Sequence, residues 1–256
     1  MIDVIPIPAF KDNYIWVLIN KTTNQCIGVD PGDATPLLDF LAQHQLTLSA
    51  IFITHHHPDH IGGIATILKD HQVPVYGPRK ENISFCTHPL IENDMVSIQS
   101  WPVEFLIKEV PGHTLGHIFF YSKPWLFCGD TLFSIGCGRL FEGSPEQMYS
   151  SLKKITELPD ETQIYCTHEY TLNNIKFAQK VDPNNENLNQ YQHHCQILRA
   201  KNLPTLPSNL ALEKACNPFL RCTNALIKKT VEDYCHQKFD TSVQIFAALR
   251  AWKDKF

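Results

Sequence analysis

The chain has 256 residues, which is enough for a well-packed core in one or two domains. Hydrophobic residues make up 43% of it and charged residues 19%, as is ordinary for a globular protein. No run approaches the roughly 18 apolar residues of a membrane-spanning helix, and the first residues lack the basic and apolar regions of a secretion signal. We therefore expect neither membrane association nor export.

Charge and cysteine content narrow the possible partners. The net charge of −4 argues against a nucleic-acid binder, which would need a basic surface for the phosphate backbone. The charge is uneven: residues 1–168 carry 10 Lys and Arg against 18 Asp and Glu, whereas residues 169–256 carry 12 against 8. The positive part favours a small anionic ligand. Nine cysteines without a Cys-x-x-Cys pair predict reduced thiols and a cytoplasmic location.

The spacing of apolar residues predicts a layered α/β arrangement in the first two-thirds of the chain. We expect short strands at 2–7, 14–19 and 26–30, and helices at about 35–45, 63–71 and 145–158. Beyond residue 168 strand signals stop and helical periodicity takes over, at about 171–181, 186–201, 223–236 and 241–253. These patterns predict two domains, 1–168 with layered sheets and helices, and 169–256, smaller and all-α.

The most informative stretch is 54–63 (THHHPDHIGG), which contains the pattern His-x-His-x-Asp-His directly after an apolar, strand-like run. Side chains at i and i+2 of an extended segment point the same way. His55, His57 and Asp59 are therefore expected on one side, with His60 turning in where the chain bends. Imidazole nitrogens and a carboxylate suit zinc, iron or manganese, so the stretch predicts a metal site.

Three more polar residues stand where predicted strands end. His113, Asp130 and His168 each follow a separate apolar run. Strand ends are the usual place for functional side chains in layered α/β folds. We expect these three residues to complete the metal site.

This order of motifs, His-x-His-x-Asp-His and then an isolated His, an Asp and a final His, resembles the metallo-β-lactamase superfamily. The resemblance implies an αββα sandwich with two divalent metal ions at one edge, zinc foremost, or else iron or manganese. It also implies seven ligands in two sets that share a bridging carboxylate: His55, His57 and His113 for one ion, Asp59, His60 and His168 for the other, and Asp130 for both. By the same analogy, Asp59 and Asp130 are catalytic and orient the hydroxide between the ions.

The helical tail and four short signatures narrow the resemblance. The signatures are 136–143 (GCGRLFEG), 168–171 (HEYT), 217–221 (NPFLR) and 249–253 (LRAWK). Together they are similar to the glyoxalase II family, the hydroxyacylglutathione hydrolases, over essentially the whole chain. This implies hydrolysis of S-(2-hydroxyacyl)glutathione, chiefly S-D-lactoylglutathione, to glutathione and D-lactate, as in methylglyoxal detoxification. The implied partner is thus a small glutathione thioester, and we expect a monomer.

The family resemblance also implies which side chains hold glutathione, whose carboxylates need cations. Arg139, Arg250 and Lys253 match the family's basic positions, and Tyr170 matches its tyrosine after the last ligand. Phe141 stands where some members carry a tyrosine, so the missing hydroxyl shifts carboxylate binding toward Arg139. Without the resemblance, Arg250 and Lys253 are equally well explained as cations at a solvated helix end, where they favour the helix dipole.

Several polar residues near the motifs have open roles. Asp30 either accepts a hydrogen bond from a ligand histidine or belongs to a plain Asp-Pro-Gly turn. His56 has the wrong alternation to point with its neighbours. His117 lies four residues after His113 and is expected to pack rather than to bind metal. Glu169 adjoins a predicted ligand, and no role is assigned to it.

Other functions share part of the motif. A glutathione-persulfide dioxygenase is the main alternative, but such relatives generally lack the long helical tail. Nucleic-acid-processing relatives carry more basic surface. Many β-lactam hydrolases have a cysteine ligand at the position of Asp130. A non-catalytic structural zinc site would be closed and rich in sulfur, and none of the predicted ligands is a cysteine.

Overall fold

The structure is a computed structural model that describes residues 1–256, and the chain forms two compact units. Unit 1 comprises residues 1–109 and 115–129, and unit 2 comprises residues 110–114 and 130–256. None of the helices combines the length and the apolar character needed to cross a membrane.

Unit 1 begins with a six-stranded sheet. Its strands pair in chain order: β1 (Ile2–Ala9), β2 (Asn13–Asn20), β3 (Gln25–Val29), β4 (Thr47–Phe52), β5 (Val75–Pro78) and β6 (His88–Leu90). The first three strands are antiparallel, and β3 to β6 are parallel. Parallel strands need crossovers, and these carry three helices: α1 (Ala34–His44), α2 (Pro58–Ile61) and α3 (Ile64–Asp70).

The second sheet of unit 1 is antiparallel and packs face to face on the first. It contains β7 (Met95–Ser97), β8 (Glu104–Glu109), β9 (Ile118–Ser122) and β10 (Trp125–Gly129). Phe52 of β4 stacks on Phe120 of β9 with ring centroids 4.4 Å apart and meets Phe105 of β8 edge-on at 5.1 Å. The other face of the first sheet packs against α1 and α3 through Leu37 and Ile67. Unit 1 is therefore layered as helix, sheet and sheet.

Unit 2 is mainly helical. Its helices are α4 (Pro145–Thr156), α5 (Thr171–Val181), α6 (Glu186–Ala200), α7 (Leu210–Cys216), α8 (Ala225–Cys235) and α9 (Ser242–Asp254). Two short antiparallel pairs accompany them: β11 (Leu132–Phe133) with β12 (Gly136–Cys137), and β13 (Gln163–Cys166) with β14 (Ser208–Asn209). Ile135, at the tip of the β11–β12 hairpin, is buried in an apolar cluster with Ile175 and Leu188.

The predicted helices are present, each with ends within two residues of the expected ones. The helices α2 and α7 were not predicted, and neither were the strands β5, β6, β7, β9, β11, β12 and β14. Because α2 and α7 have only 4 and 7 residues, they are too short to show a helical repeat of apolar residues. The expectation that strands stop after residue 168 is wrong for β14, whose two residues carry no strand pattern of their own.

All nine cysteines are free thiols, and seven of them are buried. Burial raises the pKa of the Cys26 thiol to about 12 and that of Cys137 to about 11. These side chains therefore stay protonated and pack as small apolar residues.

A fully buried carboxyl group, Glu213 of α7, holds the β11–β12 hairpin. Its Oε2 accepts hydrogen bonds from the backbone N–H of Ile135 at 2.8 Å and from Nδ2 of Asn217 at 2.9 Å. Asn217 in turn donates to the carbonyl of Gly136 at 2.9 Å. Because charge is disfavoured in so buried a place, the pKa of Glu213 is raised to about 7.

This raised pKa predicts a pH-dependent stability that Glu213→Gln removes. Between its ordinary pKa of 4.5 and about 7, the folded protein keeps a proton at Glu213 that the unfolded chain has lost. The resulting stabilisation is fully present below pH 4.5 and is lost as the pH rises to about 7, in total on the order of 3 kcal/mol. Urea unfolding should show the Glu213→Gln variant gaining stability relative to the wild type between pH 5 and 8. A difference that does not change with pH would contradict this account.

Candidate metal centre

Unit 1 contains four of the seven predicted ligands. His55 and His57 lie in the loop after β4, where the i, i+2 alternation applies. Asp59 and His60 instead lie on α2, so the expectation that Asp59 continues an extended segment is wrong. Pro58 causes the difference, because its fixed φ favours the first helical turn and its missing N–H has no partner to lose there.

The ligand atoms of unit 1 approach each other in pairs. Nε2 of His55 lies 3.1 Å from Nδ1 of His57, and Nε2 of His60 lies 3.6 Å from Oδ2 of Asp59. Two ligand atoms of a tetrahedral ion with bonds of about 2.0–2.1 Å are roughly 3.3 Å apart. Both separations are close to this value, so each pair fits two positions in the coordination shell of a divalent ion.

Asp30 fixes the imidazole of His60. Its Oδ2 lies 3.1 Å from Nδ1 of His60. The same carboxylate accepts hydrogen bonds from the backbone N–H of Thr54 at 2.7 Å and from its hydroxyl at 2.6 Å. Because a carboxylate only accepts, Nδ1 carries the ring proton and Nε2 presents a lone pair to a metal. Of the two roles left open for Asp30, the structure supports the contact with a ligand histidine.

Backbone pairing explains why Asp30 is in this place. The parallel strands β3 and β4 set Val29 opposite Phe52, so the next residues, Asp30 and the start of the ligand loop, are neighbours. Asp30 has φ 51°, in the left-handed region that aspartate tolerates better than most residues. The turn directs its carboxylate back toward Thr54.

Two supporting residues in unit 1 were not predicted. The hydroxyl of Thr54 lies 3.1 Å from Nδ1 of His55 and, since it donates to Asp30, it can accept the proton of that nitrogen. Asn13, at the start of β2, donates from Nδ2 to Oδ2 of Asp59 at 2.9 Å. Thr54 could have been suspected from its place next to His55, but nothing in the sequence links Asn13 to a residue 46 positions away.

The other histidines of unit 1 have separate surroundings. His117 is buried; its ring stacks on that of His55 with centroids 4.6 Å apart, and its Nδ1 lies 3.0 Å from the carbonyl of Ile118. His56 is partly exposed, and its Nδ1 lies 2.9 Å from Oε2 of Glu81. These contacts agree with the expectation that His117 packs against its neighbours. They also agree with the expectation that His56 does not point with the adjacent histidines.

Unit 2 contains the other three predicted ligands. Oδ2 of Asp130 lies 3.4 Å from Nε2 of His113 and 3.3 Å from Nε2 of His168. Nδ1 of His113 donates to the backbone carbonyl of Arg139 at 2.8 Å, which again leaves Nε2 for a metal. One carboxylate oxygen thus lies near two imidazole nitrogens, at the separations expected for pairs of atoms that bind the same ion.

Two glycines allow the chain to approach these ligands closely. Gly129, directly before Asp130, has φ 47°, a conformation that strains residues with a Cβ atom. A Cβ atom on Gly138 would lie 1.9 Å from the carbonyl oxygen of Asp130. The return strand of the hairpin can therefore pass Asp130 only with glycine at position 138.

The five predicted substrate-binding residues all belong to unit 2. The ring of Tyr170 stacks on that of His168, with centroids 4.6 Å apart and planes 1° from parallel. Phe141 is exposed and meets the ring of His113 edge-on at 5.2 Å. Two predicted ligands thus each carry an aromatic neighbour from the predicted substrate-binding set.

The basic members of that set lie close together. Nε of Arg139 lies 3.2 Å and Nη2 of Arg250 3.1 Å from Oδ1 of Asp254. Nη1 of Arg250 also donates to the carbonyl of Cys137 at 2.8 Å, and its side chain is only 8% exposed. Nζ of Lys253 lies 3.4 Å from the carbonyl of Asn173. Arg250 is therefore part of the packed interior as well as of a cationic cluster.

Comparison with known proteins identifies the class. The sequence pattern described as "Metallo-beta-lactamase superfamily" matches residues 12–168, and the pattern described as "Hydroxyacylglutathione hydrolase C-terminus" matches residues 169–256. Two solved structures share the fold: ETHE1 from Myxococcus xanthus (TM-score 0.66, 23% identity, 99% of this chain and 98% of that one) and a metallo-beta-lactamase from Staphylococcus aureus (0.64, 20%, 99% and 71%). The chain is a metallo-β-lactamase-type αββα protein followed by a helical C-terminal region, as predicted.

Similar sequences narrow this class to a family. A hydroxyacylglutathione hydrolase from Nitrosomonas europaea is 50% identical over 100% of this chain and 97% of its own length. Relatives of the same name from Nitrosomonas eutropha and Pseudomonas fluorescens are 48% and 49% identical, with both chains covered in full. This chain belongs to the hydroxyacylglutathione hydrolase family. The predicted fold class, family and enzyme class are confirmed, and the His and Asp donors fit the divalent metal binding that the fold implies.

The contact between Asp30 and His60 predicts that Asp30→Asn weakens metal binding. An amide accepts through only one of its two terminal atoms. The backbone N–H of Thr54, which donates to Oδ1, and the two groups at Oδ2, the Thr54 hydroxyl and Nδ1 of His60, can therefore no longer all be satisfied. We expect metal affinity to fall roughly 10- to 100-fold, as for other losses of outer-shell partners. Competition with a chelator, followed by metal analysis, measures this.

Asp33→Asn is the matched control. Asp33 caps α1 by accepting from the N–H of Thr35, and asparagine caps a helix about as well. Equal metal loss from both variants would show that Asp30 has no special role.

Proposed function

We propose that the chain hydrolyses S-(2-hydroxyacyl)glutathione thioesters, chiefly S-D-lactoylglutathione, to glutathione and a 2-hydroxy acid. The observation that carries this proposal is the match of about 50% identity over the full length of several hydroxyacylglutathione hydrolases. The donor geometry within each unit supports it, because nitrogen and oxygen ligands leave bound metal ions electrophilic, whereas thiolates would reduce their charge. The reaction would serve methylglyoxal detoxification.

We infer that the seven ligands form one dinuclear centre. His55, His57 and His113 would hold one ion and Asp59, His60 and His168 the other, with Asp130 shared. Two observations support this division. Within unit 1 the ligand atoms pair as His55 with His57 and Asp59 with His60. Within unit 2 a single oxygen of Asp130 lies between the two histidines. Zinc is the proposed metal, and iron and manganese suit the same donors.

Divalent ions at such a centre supply two things, a water whose pKa is lowered toward about 7 and polarisation of the thioester carbonyl. The chain's own side chains would orient the reacting groups. We propose that Asp59, steadied by Asn13, and Asp130 orient the attacking hydroxide. The leaving group is a thiolate whose conjugate thiol has a pKa near 8.5, so its departure needs little help from a general acid. The proposed reaction therefore does not require a general acid at this site.

The glutathione part would be held by unit 2. Arg139, Arg250 and Lys253 provide positive charge for carboxylates, while Tyr170 and Phe141 supply aromatic surface beside the ligand histidines. We also propose a functional boundary between a catalytic domain, 1–168, and a substrate-binding domain, 169–256, which the two matched sequence patterns support. A monomer in the cytoplasm, acting on a small molecule and not on nucleic acid or membranes, is the proposed setting. The free thiols support that location.

Hydrolysis of S-D-lactoylglutathione by the purified protein, with its metals quantified, tests this function. Loss of the thioester absorbance should accompany release of a free thiol, and the activity should disappear on chelation and return with added zinc. Asp130→Asn should lower kcat by more than about 100-fold, the upper range for losing an outer-shell partner of a metal. Asp160→Asn, which changes an exposed acid that pairs with Lys214, is the control. A metal-loaded wild-type protein that leaves the thioester intact would refute the proposal.

The surroundings of Lys253 predict a pH-dependent KM. Burial, and then the positive charge of Arg250, lower the pKa of its ammonium group to about 8, while Cys137 and Asp254 act weakly in the other direction. As the pH rises from 7 to 9, Lys253 loses its charge and the cluster loses attraction for carboxylates. The KM for the glutathione thioester should therefore rise over this range.

Lys253→Arg keeps its charge throughout, so its KM should change less between pH 7 and 9. Titration of the substrate is common to both enzymes and cancels in the comparison. Parallel KM profiles for the two would contradict a role for Lys253 in carboxylate binding.

A further inference from the structure

Arg139, Arg250 and Lys253 form a cationic cluster in unit 2. The carboxylate of Asp254 lies within this cluster. Oδ1 of Asp254 lies 3.2 Å from Nε of Arg139 and 3.1 Å from Nη2 of Arg250. One oxygen thus sits against two guanidinium groups, which is where an external carboxylate would also be attracted. Asp254 therefore occupies, from within the chain, part of the binding capacity of both arginines.

The charges of this cluster do not balance. Arg139, Arg250 and Lys253 contribute three positive charges, and Asp254 contributes one negative charge. The excess means that the internal carboxylate reduces the attraction for an anion without abolishing it.

The position of Asp254 on its helix also indicates that its arginine partners hold it in place. It is the last residue of α9, where the partial negative charge of the helix end makes a carboxylate unfavourable. Arg250, one turn earlier, holds it through an i, i+4 pair. Asp254 is thus kept by its arginine partners at a place where the helix alone disfavours it.

The two arginines differ in accessibility. The side chain of Arg250 is 8% exposed and is also bonded to the carbonyl of Cys137, whereas that of Arg139 is 57% exposed. Arg250 therefore anchors Asp254 from the buried side. The exposed guanidinium of Arg139 is the one that a dissolved carboxylate can reach in exchange for Asp254.

We propose that Asp254 is a built-in competitor for the carboxylate of the glutathione moiety, holding Arg139 between turnovers and weakening the binding of substrate and product alike. This inference rests on the proposed function. Glutathione keeps both of its carboxylates after the thioester is cleaved, so any contact with them holds the product as tightly as the substrate. Binding of this uniform kind lowers KM without raising kcat, and it slows product release. By competing for Arg139, Asp254 limits this tight binding and the slow product release that follows from it.

The test compares Asp254→Asn with the wild type. The amide keeps the shape of the side chain and a hydrogen-bond acceptor for the arginines but removes the competing charge. The KM for S-D-lactoylglutathione and the inhibition constant of glutathione should fall together, roughly two- to fivefold, as expected for one exposed ion pair. With the lactoyl thioester of N-acetylcysteamine, which has no carboxylate, the KM of the two enzymes should be the same.

Asp240→Asn provides the matched control. It removes the same charge at the other end of α9, 14 residues earlier and roughly 20 Å along the helix axis. This exceeds the screening length of about 8 Å at physiological salt. Asp240→Asn should therefore leave both constants unchanged, whereas a general charge effect would lower them in both variants and overturn the proposal.

Calorimetric titration of the zinc-loaded protein with glutathione gives a readout independent of turnover, and the affinity should rise in Asp254→Asn. An unchanged or weaker affinity, or a raised KM, would show that Asp254 positions Arg139 instead of competing with the substrate, and would overturn the inference. A wild type that hydrolyses no glutathione thioester would refute the proposed function separately. A wild type that also fails to bind glutathione would remove both.

Discussion

The arrangement of the proposed metal centre depends on which nitrogen of each imidazole carries the proton. In His60 and His113 the Nδ1 atom faces an acceptor, the carboxylate of Asp30 or the carbonyl of Arg139, so Nε2 is left as a metal ligand. In His55 the acceptor that faces Nδ1 is the hydroxyl of Thr54. A ring that was free to turn or to change tautomer would offer a metal a lone pair only part of the time. The acceptors are therefore as much a part of the site as the ligands.

In unit 2 the acceptor for His113 is itself held by helical residues. The segment from Asp130 to Arg139 forms the β11–β12 hairpin, and three side chains from later in the chain bind its backbone. Glu213 accepts from Ile135, Asn217 donates to the carbonyl of Gly136, and Arg250 donates to the carbonyl of Cys137. These side chains thus fix the backbone between Asp130 and the carbonyl that accepts from Nδ1 of His113. This gives the tail a structural role beyond any contact with substrate.

Local patterns predicted the long helices, the layered sheets and the seven candidate ligands, because each has either a clear apolar repeat or a dense group of metal-binding side chains. The short helix α2 was missed, since a single turn started by Pro58 has no repeat to detect. Asn13 and Thr54 escaped prediction because their roles arise from the pairing of β2, β3 and β4, which brings distant residues together. The pairing of Asp254 with Arg139, 115 positions away, could not be foreseen for the same reason. Sequence patterns show which side chains can bind a metal, but not which neighbours orient them.

The burial of the cysteines has a consequence for a protein that handles activated acyl groups. A thioester transfers its acyl group to any accessible thiolate, so reactive thiols on the protein would become acylated by exchange. The seven buried thiols are out of reach, and the raised pKa values of Cys26 and Cys137 keep those two thiols protonated. The interior is thereby inert toward the compound that the chain is proposed to consume.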